Sequence, residues 1–161
     1  MLDQEILSDF CTESSQLVEE LEGIIEGLED STPGNFPTES LKEFSQKIDR
    51  IMGAAKTLLM MAPGHPGLVF LANISEMCKT MGYQAAALQK APLVPIFAGF
   101  WADTLEVINE LLACLASEEQ CRALVAEKSA SLQKRLSWLA EKVAPGSEEE
   151  KNKVLALLKK L

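Results

Sequence analysis

Few residues of this chain carry side chains suited to chemistry, and their spacing limits what that chemistry is. The one histidine, His65, lies in Met60-Met61-Ala62-Pro63-Gly64-His65-Pro66-Gly67. Prolines and glycines around it fix a turn, with no helix to hold the imidazole and no Lys a turn away to steady a phosphoryl group. His65 is therefore read as a turn residue without a reaction. The cysteines Cys11, Cys78, Cys114 and Cys121 are scattered and never form Cys-x-x-Cys. They read as small buried hydrophobes of a protein in a reducing compartment, which suggests the cytoplasm. One loop histidine and scattered thiols do not build a tetrahedral metal site, and no Gly-rich phosphate loop is present. Nothing sets a nucleophile beside His65 for a Ser-His-Asp triad. The expectation is no metal, no cofactor and no catalysis. One pair remains, Glu106-x-x-Asn109, an acid and an amide that can orient a water for attack on an acyl phosphate. On a helix the same pair also makes an ordinary exposed polar strip.

The scaffold that must position such residues is organised around Leu41 to Leu59, LKEFSQKIDRIMGAAKTLL. Leu41, Phe44, Ile48, Ile51, Ala55 and Leu58 step alternately by three and four, one apolar stripe down an amphipathic helix. A second line, Ser45, Asp49, Met52, Gly53 and Lys56, falls on the rim between that stripe and water. Glycine inside a helix costs about 1 kcal/mol relative to alanine. Gly53 with Ala54 and Ala55 makes a bare patch that suits either close helix packing or the approach of a partner.

Asp49-Arg50-Ile51-Met52-Gly53-Ala54-Ala55 resembles the histidine phosphotransfer (HPt) motif, His-x-[Ile/Leu]-Lys-Gly-[Ser/Ala]-[Ala/Ser]. Upstream, Phe10-x-x-Glu13-x-x-x-Leu17-x-x-x-Leu21-Glu22-x-x-Ile25-x-x-Leu28-Glu29 looks like the opening of chemotaxis-kinase HPt domains. The chain keeps Ile51, Gly53, Ala54 and Ala55, but Asp49 stands at the phosphoacceptor position and Met52 at the lysine position. The resemblance implies an antiparallel four-helix bundle whose second helix docks a receiver domain or a histidine-kinase component. It places Ser45, Asp49, Met52, Gly53 and Lys56 on the docking face. A helix-surface carboxylate forms an acyl phosphate only beside Mg²⁺ held by a cluster of acids. Met52 and Gly53 offer no such cluster, so phosphotransfer is expected to be lost and Asp49 is a degenerate phosphoacceptor. It either holds one negative charge where phosphohistidine carries about two, or is a surface acid paired with Arg50 or Lys56.

The remaining elements follow from periodicity and punctuation. A first helix is predicted over about Leu2–Leu28, with Leu2, Ile6, Phe10, Leu17, Leu21, Ile24 and Leu28 inward. Asp30 to Pro37 forms a loop, and Thr38 caps the second helix. After a long loop through His65 comes a third helix, about Leu68–Gln89. A fourth, about Pro95–Ala116, is apolar on nearly every side and so is either central in a bundle or covered by another chain, as in a homodimer. Ser117-Glu118-Glu119-Gln120 opens a fifth helix to about Val143. Ser147-Glu148-Glu149-Glu150 opens a last one with Val154, Leu157, Leu158 and Leu161 inward. The fold expected is all-α, one domain over residues 1–161: a bundle over 1–116 and a helical extension over 117–161.

With 47% apolar and 24% charged residues, the 161-residue chain can bury a core without metals or disulfides. No stretch is read as approaching the ~20 apolar residues of a membrane span. Residues 1–41 hold eleven acids and no Lys or Arg, while the rest carries 13 acids and 15 bases. The whole net charge of −9 thus comes from the first quarter, which argues against nucleic acid and anionic membrane as partners. An acidic helix face is either simply solvated or attracts a basic partner. Three functions follow: a non-catalytic HPt-like module, a self-associating scaffold, or a receiver-domain phosphatase using Glu106 and Asn109, a pair similar to the acid/amide pair of such enzymes.

Overall fold

A computed structural model describes residues 2–32, 34–143, 152, 155–157, 159 and 160. All regular structure among these residues is helical. Helix α1 (Gln4–Glu29) begins where the Asp3 carboxylate accepts the backbone N–H groups of Glu5 and Ile6, two of the donors every helix start leaves open. Phe10, Leu17, Val18, Leu21, Ile25 and Leu28 are buried, and the acids line the outside. Ile6, expected inward, is exposed.

Helix α2 (Thr38–Met61) buries all six residues of its predicted stripe. Its cap differs from expectation: Pro37 occupies that position without a side-chain hydrogen bond, and Thr38 is the first helical residue. Proline fixes φ at that position but brings no side-chain acceptor for the first N–H groups of the helix. The connection to α3 (Pro66–Leu88) is also shorter than expected, running only from Ala62 to His65. His65 is the N-cap of α3 and Pro66 sits in its first turn, where the missing N–H costs nothing. The helix ends at Gln89, in the left-handed conformation with φ 54°.

A single 3₁₀ turn, Ala91–Leu93, leads into α4 (Val94–Cys114). By length and composition, Ala91–Cys114 is apolar enough to cross a membrane, contrary to the sequence reading; half of its most apolar window is buried inside the bundle. Helix α5 (Glu118–Val143) starts where the Ser117 hydroxyl accepts the Gln120 N–H. Beyond it, Asn152, Leu155–Leu157 and Lys159 are helical, with Leu157 buried and Leu155 exposed. Most of the expected last helix, including Ser147, Val154, Leu158 and Leu161, lies outside the described residues.

The helices form a bundle. Helix α2 packs most extensively against α3, α1 lies against both α2 and α4, and α3 touches α4 only over a short stretch. Helix α5 packs on α3 and α4 together, so it completes the wall that these two leave open. The wide interior is filled by an aromatic stack. Phe44 of α2 lies on Trp101 of α4 with ring centroids 4.0 Å apart and planes 14° apart, and Phe97 tilts against Trp101 at 5.3 Å. These rings carry large apolar areas and bridge helices whose backbones do not approach.

Candidate functional site

The second helix presents its rim residues unevenly. Ser45 is fully buried, and its hydroxyl donates to the Lys79 carbonyl of α3 at 3.0 Å. A Cβ on Gly82 would collide with this hydroxyl oxygen. Serine and glycine here allow α2 and α3 to approach closely, and Ser45 lies inside that contact rather than on the rim and docking face where the sequence places it. Asp49, Met52, Gly53 and Lys56 do reach solvent.

Asp49 pairs with neither Arg50 nor Lys56. Its carboxylate lies 2.8 Å from the Lys79 ammonium. Lys56 in turn reaches Glu76, also on α3, at 3.4 Å. Two ion pairs of opposite sense therefore bridge α2 and α3, about two turns apart, with Met52 and Gly53 between them in sequence. All four side chains are partly exposed, and pairs of this kind contribute about 0–1 kcal/mol each. Their main effect is to hold the long side chains toward α3. On the other flank, Lys47 meets Glu20 of α1 at 3.1 Å.

Gly53 is exposed, and a Cβ built on it would meet nothing within 4 Å. No packing among the described residues therefore calls for glycine. The same openness holds at Gly23, Gly27 and Gly99; Gly53 differs in being set between two interhelical ion pairs. Its carbonyl also accepts the Thr57 hydroxyl at 3.0 Å. Further along α2, Met60 and Met61 are exposed, Met60 by 82%.

Asp49 has no acid cluster around it for a cation, and among the described residues no group of three or more His, Cys, Asp or Glu side chains could hold a metal. Glu106 and Asn109 both lie exposed on α4, a helix whose backbone does not approach α2. A second apolar surface lies between α4 and α5, a groove of about 400 Å³ lined by Ile96, Phe100, Lys134, Arg135, Trp138 and Leu139. Trp138 is 46% exposed and Ile96 40%. Arg135 crosses the Phe100 ring and pairs with Asp103, while Lys142 crosses Trp138.

Sequence reasoning missed two parts of this arrangement. Glu76 and Lys79, the charged residues of α3, stand one turn apart, a signal that the helix turns that strip outward. His65 is buried rather than a loop residue in water. Its Nδ1 accepts the Leu68 N–H at 3.4 Å, which leaves Nε2 to donate to the Leu115 carbonyl at 3.0 Å. The imidazole thereby ties the start of α3 to the end of α4, and the His-Pro pair at a helix start was its only local sign. Comparison with protein-family models, with curated proteins and with solved structures finds no match, so the likeness to HPt domains rests on the residues of α1 and α2 quoted above.

Proposed function

We propose that this chain is a non-catalytic, HPt-like signalling module of the cytoplasm. It binds a receiver domain or a histidine-kinase component on the outer face of α2, without phosphotransfer. The observation that carries the reading is Gly53: an exposed glycine mid-helix, with open space over it, flanked by ion pairs that hold Asp49 and Lys56 toward α3. A helix gives up stability to keep such a glycine, and a close-approaching partner is what would use the space. Met52 beside it is adaptable and polarizable, suited to an apolar partner helix. The Asp49–Lys79 pair shifts the role of Asp49 from a free phosphohistidine mimic to a positioned, half-neutralised rim charge. Lys79 thus supplies near position 49 the cation that the Met52 position no longer provides.

The test is titration of purified receiver domains and kinase fragments from the source organism against the full chain. Binding by the parent, lost by at least about thirtyfold in folded Gly53→Arg, is expected for a central interface position. Undiminished binding by folded Gly53→Arg would place the docking face elsewhere. Acetyl phosphate should leave the chain unlabelled, and a stable label on Asp49 or His65 would end the reading.

The α4–α5 groove favours a second reading, a scaffold that self-associates through α4, because Ile96 and Trp138 are exposed there. Light scattering separates the two, since the scaffold is a dimer that ignores receiver domains. A receiver-domain phosphatase would instead speed loss of phosphate from a phosphorylated receiver and be stopped by Glu106→Ala.

A further inference from the structure

Cys114 is the last residue of α4 and Cys121 lies in the opening turn of α5, with their sulfurs 3.6 Å apart. We propose that these two thiols are a site of oxidation by hydroperoxides, which convert them into an intramolecular disulfide that clamps the α4–α5 turn. This inference does not depend on the docking face of α2.

The geometry is specific to this pair. A disulfide requires the sulfurs at about 2.05 Å, so closure needs a movement of about 1.5 Å, within reach of small side-chain rotations at a helix junction. Cys121 has little other freedom. Its Sγ donates to the Cys114 carbonyl at 3.3 Å, and a Cβ on Gly67 would stand only 2.7 Å from that sulfur. The start of α3 therefore closes one side, and Cys114 is the sulfur within reach. Cys11 bonds instead to the Leu112 carbonyl, and Cys78 is fully buried in the core.

Exposure sets the order of events. Cys114 is half-buried and reachable, whereas Cys121 is buried. The Cys114 thiolate attacks one oxygen of the hydroperoxide, breaking the O–O bond. The sulfur is oxidised to sulfenic acid, and the other oxygen leaves as water or alcohol after taking up a proton. Cys121 then attacks the Cys114 sulfur, its own proton and the hydroxyl departing as water. In sum, two thiols and one hydroperoxide give one disulfide, one water, and a second water or an alcohol. In a reducing compartment such a bond is transient and reversed by thiols.

The clamp would act beyond its own turn. The Leu115 carbonyl, next to Cys114, holds the His65 Nε2–H, and Gly67 lies against Cys121. Closure therefore locks the junction where α3 begins, α4 ends and α5 begins. Helix α5, which completes the wall between α3 and α4, is then tethered at its base.

The test treats the reduced full chain with hydrogen peroxide, alkylates the remaining thiols and measures intact mass. Loss of two hydrogens with two of the four thiols still alkylated is expected. Cleavage after Glu118 and Glu119 should leave the Cys114 and Cys121 peptides joined until dithiothreitol is added. Cys121→Ser, checked for fold by circular dichroism, should accumulate a dimedone-reactive sulfenic acid at Cys114. If both thiols remain alkylated in the peroxide-treated parent, if Cys114 passes to sulfinic acid while Cys121 stays free, or if only intermolecular dimers form, the proposal is wrong.

Discussion

Two glycines in this fold have opposite reasons to exist, and their replacement should move stability in opposite directions. Gly53 faces open space, so Gly53→Ala should raise stability by about 0.5–1 kcal/mol through helix propensity alone. Gly82 presses on Ser45 and lies near the Leu41 carbonyl. A methyl there forces the Ser45 hydroxyl from its bond to Lys79 and overfills the α2–α3 contact. Gly82→Ala should cost about 1–3 kcal/mol. Urea denaturation of both variants gives the comparison, and a destabilised Gly53→Ala would show that the glycine serves the fold after all. Asp49→Ala should change stability by less than about 1 kcal/mol, since its pair with Lys79 is part-exposed.

At the scale of elements, the start of α3 depends on one imidazole. His65 accepts the Leu68 N–H and donates to Leu115, and it is 5% exposed. Removing it leaves a buried carbonyl and an uncapped helix. His65→Ala should therefore cost about 1–3 kcal/mol. His65→Asn can restore the cap but not the link to α4, and should recover part of that loss. Equal stability of the two variants would show that the cap contributes nothing and the link everything. Helix α5 is the other dependent element. The sequence reads it as an extension or cover of the bundle, and it packs on α3 and α4 where these hardly touch, so a chain ending at residue 117 should bind a hydrophobic dye that the full chain ignores.

The whole molecule responds to pH through its buried thiols. Burial pushes the Cys78 thiol up to about 12, and burial with the Cys114 thiol beside it raises Cys121 as well. Below about pH 9 folded and unfolded chains hold the same thiol protons. Above it the unfolded chain releases protons that the folded chain keeps, so the unfolded state gains and stability falls as pH rises toward about 12. Urea midpoints measured from about pH 8 to about pH 11 should decline, and Cys78→Ala should flatten the decline. The two tryptophans report the same fold from inside and outside. Trp101 is fully buried against Phe44, and Trp138 is 46% exposed, so iodide should quench only one of them in the native state.

How much of this was legible in the chain follows from the range of each interaction. The stripe Leu41, Phe44, Ile48, Ile51, Ala55 and Leu58 is buried in full, because helical period acts between residues three and four apart and needs no knowledge of the partner. The Ser117 start of α5 and the loop from Asp30 to Pro37 are equally local, and all five described α-helices were read within a few residues of their ends. The all-α bundle was thus determined by local pattern alone. What tertiary structure decided was every relation across helices. Periodicity puts Ser45 on a rim, but only the close approach of α3 buries it. Asp49 had two local cations in sequence and took a third, Lys79, because interhelical distance rather than spacing selects an ion pair. His65, Cys114 and Cys121 lie far apart or in unremarkable positions along the chain, and they meet because three helix ends converge. Sequence encodes which face of each helix turns inward; which residues then touch is settled only when those faces are packed together.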